Sequence, residues 1–168
     1  MRALLLTLLL VSCAAQTAST GRGTAGRAAD FTLRDLSGRD VRLSDYLGTH
    51  VILLDFWATW CVPCEAALPH VEALYQKYKN QGFIVLGIAM DDSQTVAQVA
   101  PFAQRYRLSF PVLVDEETKV VQLYNPKRTA PYQVLIARNG TIAKERQGYN
   151  AGDERLLESD VQALLRRP

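Results

Sequence analysis

At 168 residues, 48% hydrophobic and 21% charged, the chain is sized and composed for one globular domain with a sizeable core. Its formal charge is +2, or +1 once Arg2 is left out with residues 1–12. That near-neutral balance, with no long basic run, excludes the electrostatic footprint of a nucleic-acid binder. The doublet Arg166-Arg167 suits a helix C-terminus, where cations complement the macrodipole.

Met1-Arg2 is a short basic start, and Ala3 to Val11 is an apolar run too short to span a bilayer. Together they predict an export signal over residues 1–12. Its end, Leu10-Val11-Ser12-Cys13, resembles the lipobox of bacterial lipoproteins. That resemblance implies lipidation of Cys13 as the mature N-terminus and a lipid anchor on the periplasmic side of a bacterial membrane. The alternative is cleavage near Cys13-Ala14-Ala15, giving a soluble periplasmic or secreted protein. Both place the domain outside the cytoplasm, where disulfides persist. Residues 13–29 are mostly small and polar, with too little apolar surface to offset ordering entropy, and predict a flexible tether. The domain is expected over 30–168.

Phe31-Thr32-Leu33 and Val41-Arg42-Leu43 alternate around Leu36-Ser37-Gly38-Arg39 and predict a hairpin. Ser44 to Gly48 predicts one helical turn. Val51 to Trp57 is an apolar run, broken by Asp55, that predicts a buried strand. Glu65 to Tyr78 predicts a helix kinked at Pro69. Phe83 to Ala89 predicts a second buried strand. Ser93 to Arg107 has helical spacing, with Val96, Val99, Phe102 and Tyr106 on one side and a kink at Pro101. A short strand over Pro111 to Val114 and a short helix over Glu116 to Tyr124 follow. Gln133 to Ala137 and Thr141 to Gln147 flank Asn139-Gly140, a strong hairpin turn. Asp153 to Arg167 predicts an amphipathic helix with Leu156, Leu157, Val161, Leu164 and Leu165 on its apolar face. This alternation predicts an α/β fold with a mixed sheet.

The chemistry lies in Trp60-Cys61-Val62-Pro63-Cys64, where strand hands over to helix. Residues three apart share a helix face, and a disulfide needs Cα atoms about 4.4–6.8 Å apart. The two sulfurs can therefore pair or separate with little backbone movement, as dithiol–disulfide chemistry requires. A structural bond is the alternative, but so short a loop constrains the unfolded chain little. Half a zinc site is another, but only His50 and His70 are at hand as histidines. No metal and no cofactor is expected.

The segment Asp55-Phe56-Trp57-Ala58-Thr59-Trp60-Cys61-Val62-Pro63-Cys64 resembles the thioredoxin active-site segment. The N-terminal hairpin, Met90 to Asp115 and the export signal resemble the TlpA/ResA branch of that superfamily. Members are periplasm-facing thiol–disulfide oxidoreductases tied to cytochrome c maturation and copper-centre assembly. The resemblance covers roughly residues 30–165. It implies a thioredoxin-like mixed sheet flanked by helices, with an N-terminal β-hairpin. It also implies a protein disulfide as substrate, on apocytochrome c or a copper-site protein, and a membrane thiol reductase as electron donor. The chain is expected to act as a monomer.

Cys61, at the helix N-terminus, is the expected attacking thiol, because unpaired N–H groups and the dipole lower such thiols from about 8.5 to roughly 3.5–7.5. Cys64, one turn in, is the expected resolving thiol. Pro63 fits the first turn, where its missing N–H costs nothing. Asp55 is costly inside an apolar strand unless it has a partner or work, and burial should raise its pKa. The alternative is a strand-end aspartate facing water. Thioredoxin's buried aspartate at the matching place implies proton handling for Cys64. The superfamily's cis-proline implies a cis Ala130-Pro131 bond facing the cysteines and offering backbone groups to substrate. Trp60, Val62 and Pro63 complete the expected substrate rim, and Trp57 belongs to the core.

Some positions depart from the branch. Ala67 stands where a glutamate is common, and helix geometry turns Glu65 away from that face. Tyr132-Gln133 replaces the more common small hydroxyl residue after Pro131. His70 reads as a surface residue. A peroxiredoxin-like peroxidase needs a threonine three residues before its reactive cysteine, where Ala58 stands before Cys61. A copper-binding assembly factor needs a further soft ligand, and Met90 is the only methionine after the signal.

Overall fold

The computed structural model describes residues 26–167. The export signal, Cys13 and the tether as far as residue 25 lie outside the described residues. A first hairpin is formed by β1 (Thr32–Asp35) and β2 (Asp40–Arg42). Its turn is fixed by the Asp35 carboxylate, which accepts from Ser37 Oγ at 2.6 Å, from the backbone N–H of Ser37 and Arg39, and from the Arg39 guanidinium. The Ser37 bond, with those from Arg39 and the backbone, holds this carboxyl down at about 2.

β3 (Val51–Trp57) leads into α1 (Val62–Tyr78), and β4 (Phe83–Ala89) into α2 (Val99–Arg105). β5 (Val112–Val114) leads into α3 (Lys119–Tyr124). β6 (Tyr132–Ile136) and β7 (Ile142–Gln147) make the second hairpin, and α4 (Asp153–Leu165) closes the fold. The described strands form one sheet in the order β2-β1-β5-β4-β3-β6-β7. β3, β4 and β5 are parallel to one another, and the flanking strands pair antiparallel, so the sheet is mixed as expected.

β3 and β4 are buried along their whole lengths because helices cover both faces of the sheet. Side chains alternate along β3. Trp57 faces α2, stacking on Phe102 at 5.2 Å, while Phe56 faces the other way onto Tyr124 of α3 and Tyr132. Gly87 of β4 is required by this packing, since a Cβ there would meet the Phe110 ring at 2.7 Å and Trp57 Nε1 at 3.1 Å.

Several boundaries differ from the sequence expectation, each for a local reason. α1 begins at Val62, not Glu65, because Cys61 serves as its N-cap and Pro63 fits the first turn. It runs through Pro69 as one helix. The helix expected over 93–107 is a 3₁₀ turn at Val96–Gln98 followed by α2, and Pro101 sits in the first turn of α2, where its missing donor is tolerated. α3 starts three residues late because Asp115 takes the N–H groups of Lys119 and Val121, with Thr118 left-handed at φ 56°. α4 buries Leu157, Val161 and Leu164, but Leu156 is exposed. Its last carbonyls are taken by Arg138, which reaches Leu165 and Arg167. Within the expected tether, residues 26–28 bond to the β6–β7 hairpin. Ala28 N–H bonds Gly140, Ile142 N–H bonds Gly26, and Arg27 bridges Thr141.

Candidate active site

The carboxyl end of β3 and the amino end of β6 meet because the two strands pair antiparallel, with Phe56 opposite Tyr132. Pro131 is therefore brought to the loop that follows Trp57. In that loop Cys61 is extended, at φ −93° and ψ 97°, and its Sγ accepts the N–H of Cys64 at 3.2 Å. A sulfur at this position lies among the unpaired N–H groups of the helix start, which favour negative charge on it once reduced. The Cys61–Cys64 disulfide is formed, with Cα atoms 5.3 Å apart.

The two sulfurs are not equivalent. Cys61 keeps 4% exposure and Cys64 none. Around Cys61 stand Trp60, 58% exposed, Val62, 75% exposed, and the exposed Pro63. Such large apolar side chains facing water beside a reactive sulfur are suited to a polypeptide partner. The Ala130-Pro131 peptide is cis, with Pro131 buried and Ala130 half-buried.

Asp55 is 2% exposed and is not a water-facing strand end. Burial pushes its carboxyl up to about 6, and the hydrogen bond from Gln133 Nε2, at 2.9 Å, opposes that rise. A carboxyl poised there can exchange a proton near neutral pH. Ala67 is buried, and Glu65 points elsewhere, accepting from the Tyr106 hydroxyl at 2.8 Å. His70 is exposed and stacks on Tyr149. Met90 is buried, with its sulfur 3.6 Å from the Asn125 amide, so it does not present a soft ligand to the cysteines.

Sequence reasoning missed the buried polar residues that hold this site in place. Asp91, fully buried two residues past β4, accepts from the backbone N–H of Thr59 at 3.1 Å and from its hydroxyl, fixing the loop before Cys61. Asn125 accepts from Thr129 N–H at 3.1 Å and donates to its carbonyl at 2.7 Å, fixing the loop before Pro131. The only sequence signal for Asp91 is its position just past the apolar run that ends in Ala89-Met90. Gln133 stood out as an unusual residue but carried no assigned role.

Comparison with known proteins agrees with this geometry. The AhpC/TSA family description matches residues 25–145. The thiol-disulfide oxidoreductase ResA of Geobacillus kaustophilus is 38% identical over 145 residues, covering 85% of this chain and 81% of that protein. ResA of Halalkalibacterium halodurans is 37% identical over 122 residues, 73% of this chain and 67% of that protein. Among solved structures, a secreted Mycobacterium tuberculosis disulfide oxidoreductase homologous to E. coli DsbE aligns with a TM-score of 0.69 and 26% identity, over 80% of this chain and 96% of that one. A disulfide built from CxxC at a helix start, on a thioredoxin-like sheet, and this degree of likeness lead to one conclusion: the chain belongs to the AhpC/TSA family, as a thioredoxin-like thiol–disulfide oxidoreductase of the ResA type.

Proposed function

We propose that the protein reduces disulfides of other proteins outside the cytoplasm. The observation that carries this reading is the asymmetry of the pair, with Cys61 at an apolar exposed rim and Cys64 sealed one turn behind it. The Cys61 thiolate attacks one sulfur of a substrate disulfide, forming a mixed disulfide and releasing the first substrate thiolate. Cys64 then loses its proton to Asp55 and attacks Cys61 Sγ. The second substrate thiolate leaves, and the Cys61–Cys64 disulfide forms. Two electrons pass from the pair to the substrate, and a membrane dithiol reductase restores them. Trp60, Val62 and Pro63, with the backbone of Ala130 and Pro131, hold the substrate chain. Apocytochrome c or a copper-site protein fits this role as substrate. A peroxidase reading is disfavoured because Ala58 occupies the place of the required threonine.

Direction is tested by the reduction potential of the Cys61–Cys64 pair. The value is expected nearer the roughly −270 mV of thioredoxin than the roughly −120 mV of DsbA, because proline stands between the cysteines without a histidine. Equilibrated with glutathione, the pair should remain mostly oxidised. A pair that stays reduced in oxidising glutathione buffer would reverse the assignment to an oxidant.

We further propose a lipid anchor on Cys13, supported by the Leu10 to Cys13 pattern. Mass spectrometry of the protein from its native membrane should find acylated Cys13 as the first residue. An unmodified N-terminus at Ala14 or beyond would leave a soluble exported protein instead.

A further inference from the structure

Asp55 and Gln133 are direct partners in the register of β3 and β6. Directly opposed residues of an antiparallel pair carry Cβ atoms about 4.5–5.5 Å apart on the same face. The amide of Gln133 thus spans to the carboxylate without leaving its strand, and donates to it at 2.9 Å. The residue across from Asp55 on the other side, Gly87 of β4, offers no side chain.

Gln133 is half-buried, and it also lines a cavity of about 470 Å³ between α1, the β6–β7 hairpin and the start of α4. Asp55 is not part of that lining, and Ala67 and Pro131 beside Gln133 bring no polar side chain to it. The ionisable side chains around the cavity are those of His70 and Lys77 of α1, Arg146 of β7, and Asp153, Glu154 and Glu158 of α4. Lys77 binds Glu158, Arg146 binds Asp160, Asp153 accepts from Asn150, and Glu154 accepts from Tyr149 and Gly152. His70 stacks on Tyr149, and none of these groups hydrogen-bonds Asp55 among the described residues.

We propose that Gln133 is a positioning residue: it holds the Asp55 carboxylate by a donated hydrogen bond while facing the cavity, and so governs proton uptake and loss at Asp55. The physical basis is an asymmetry between the two protonation states. An amide N–H bond to an ionised carboxylate is charge-assisted and stronger than any bond the same amide makes to the neutral acid. Gln133 therefore favours the ionised form against the burial that disfavours it. The kinetic consequence rests on the proposed role of Asp55 as proton acceptor for Cys64, whereas the coupling itself does not.

The two are separated by measuring both in the full-length protein. Carboxyl-carbon NMR titration follows Asp55 in the disulfide form, and the pH dependence of mixed-disulfide resolution follows the reaction. Gln133→Met keeps length and removes the donor. It should raise the Asp55 titration midpoint by about one pH unit, the equivalent of losing a hydrogen bond to a charged group. Gln133→Glu keeps length and polarity and should turn the single titration into two coupled steps. An unmoved midpoint in a folded Gln133→Met protein would overturn the proposal. If that variant does not fold, a single unshifted step in Gln133→Glu would do the same. A midpoint that moves together with the rate profile supports both ideas. A midpoint that moves while the rate profile stays still supports the coupling and removes Asp55 from the reaction.

Discussion

Cys64→Ser is expected to leave substrate covalently held on Cys61. Resolution needs a second thiol within reach of the mixed disulfide, and Cys64, one turn along α1 with its Cα 5.3 Å away, is the thiol in place. The serine hydroxyl is no substitute at neutral pH, because the thiolate is the nucleophile in exchange. A product that runs large on a non-reducing gel and collapses with added thiol should therefore accumulate. Cys61→Ser should trap far less, since Cys64 has no exposed surface. Turnover should fall to background in both variants. Recovering the trapped complex would also identify the substrate. Equal trapping by the two variants would mean that both sulfurs meet substrate equally, and the division of roles would fail.

The second large effect belongs to Asp55. Asp55→Asn keeps the shape and removes the titrating carboxyl. General-base assistance contributes typically 10²–10⁴-fold, so resolution at pH 7 should slow by about 10²-fold or more. In the wild type the step should gain rate as pH rises through about 6, where Asp55 ionises. In the variant that rise should move to higher pH, where the thiol must ionise without a base beside it. Rates matching the wild type from pH 6 to 9 would refute the role. Stability should move the opposite way. The carboxyl's pKa is raised from 3.8 to about 6 by folding, so its contribution is most favourable below about 4 and is lost as pH rises through about 6. Asp55→Asn removes that loss and should stabilise the protein at pH 7 by up to about 3 kcal/mol, measurable by denaturant unfolding. A buried carboxyl that costs stability fits a functional group rather than a structural one.

The parts of the fold that were legible in the sequence are those written in local pattern. Apolar runs mark β3 and β4, Asn139-Gly140 marks the second hairpin, and Cys61 to Cys64 mark the chemistry. The misplaced ends of α2 and α3 depend on polar groups whose partners are set by the fold. Asp115 caps α3 from outside the helix, and Pro101 marks a helix beginning that its sequence neighbours make look like an interruption. The same holds within the site. Asp91 meets Thr59, 32 residues away, and Gln133 meets Asp55, 78 residues away, through strand neighbours that no local spacing encodes. A buried polar residue becomes recognisable only when its partner is known.

The hydrogen bonds of Gly26 and Ala28 to the β6–β7 hairpin also fix where the chain enters the domain. β6 begins at Tyr132, beside the cis-proline, and ends at Ile136, roughly 13 Å further on at the strand rise per residue. The chain upstream of Gly26 thus joins the domain at the pole opposite the cysteines. The exposed rim at Cys61 is thus left clear of the chain's entry point, and reductant and substrate must use that one rim in turn.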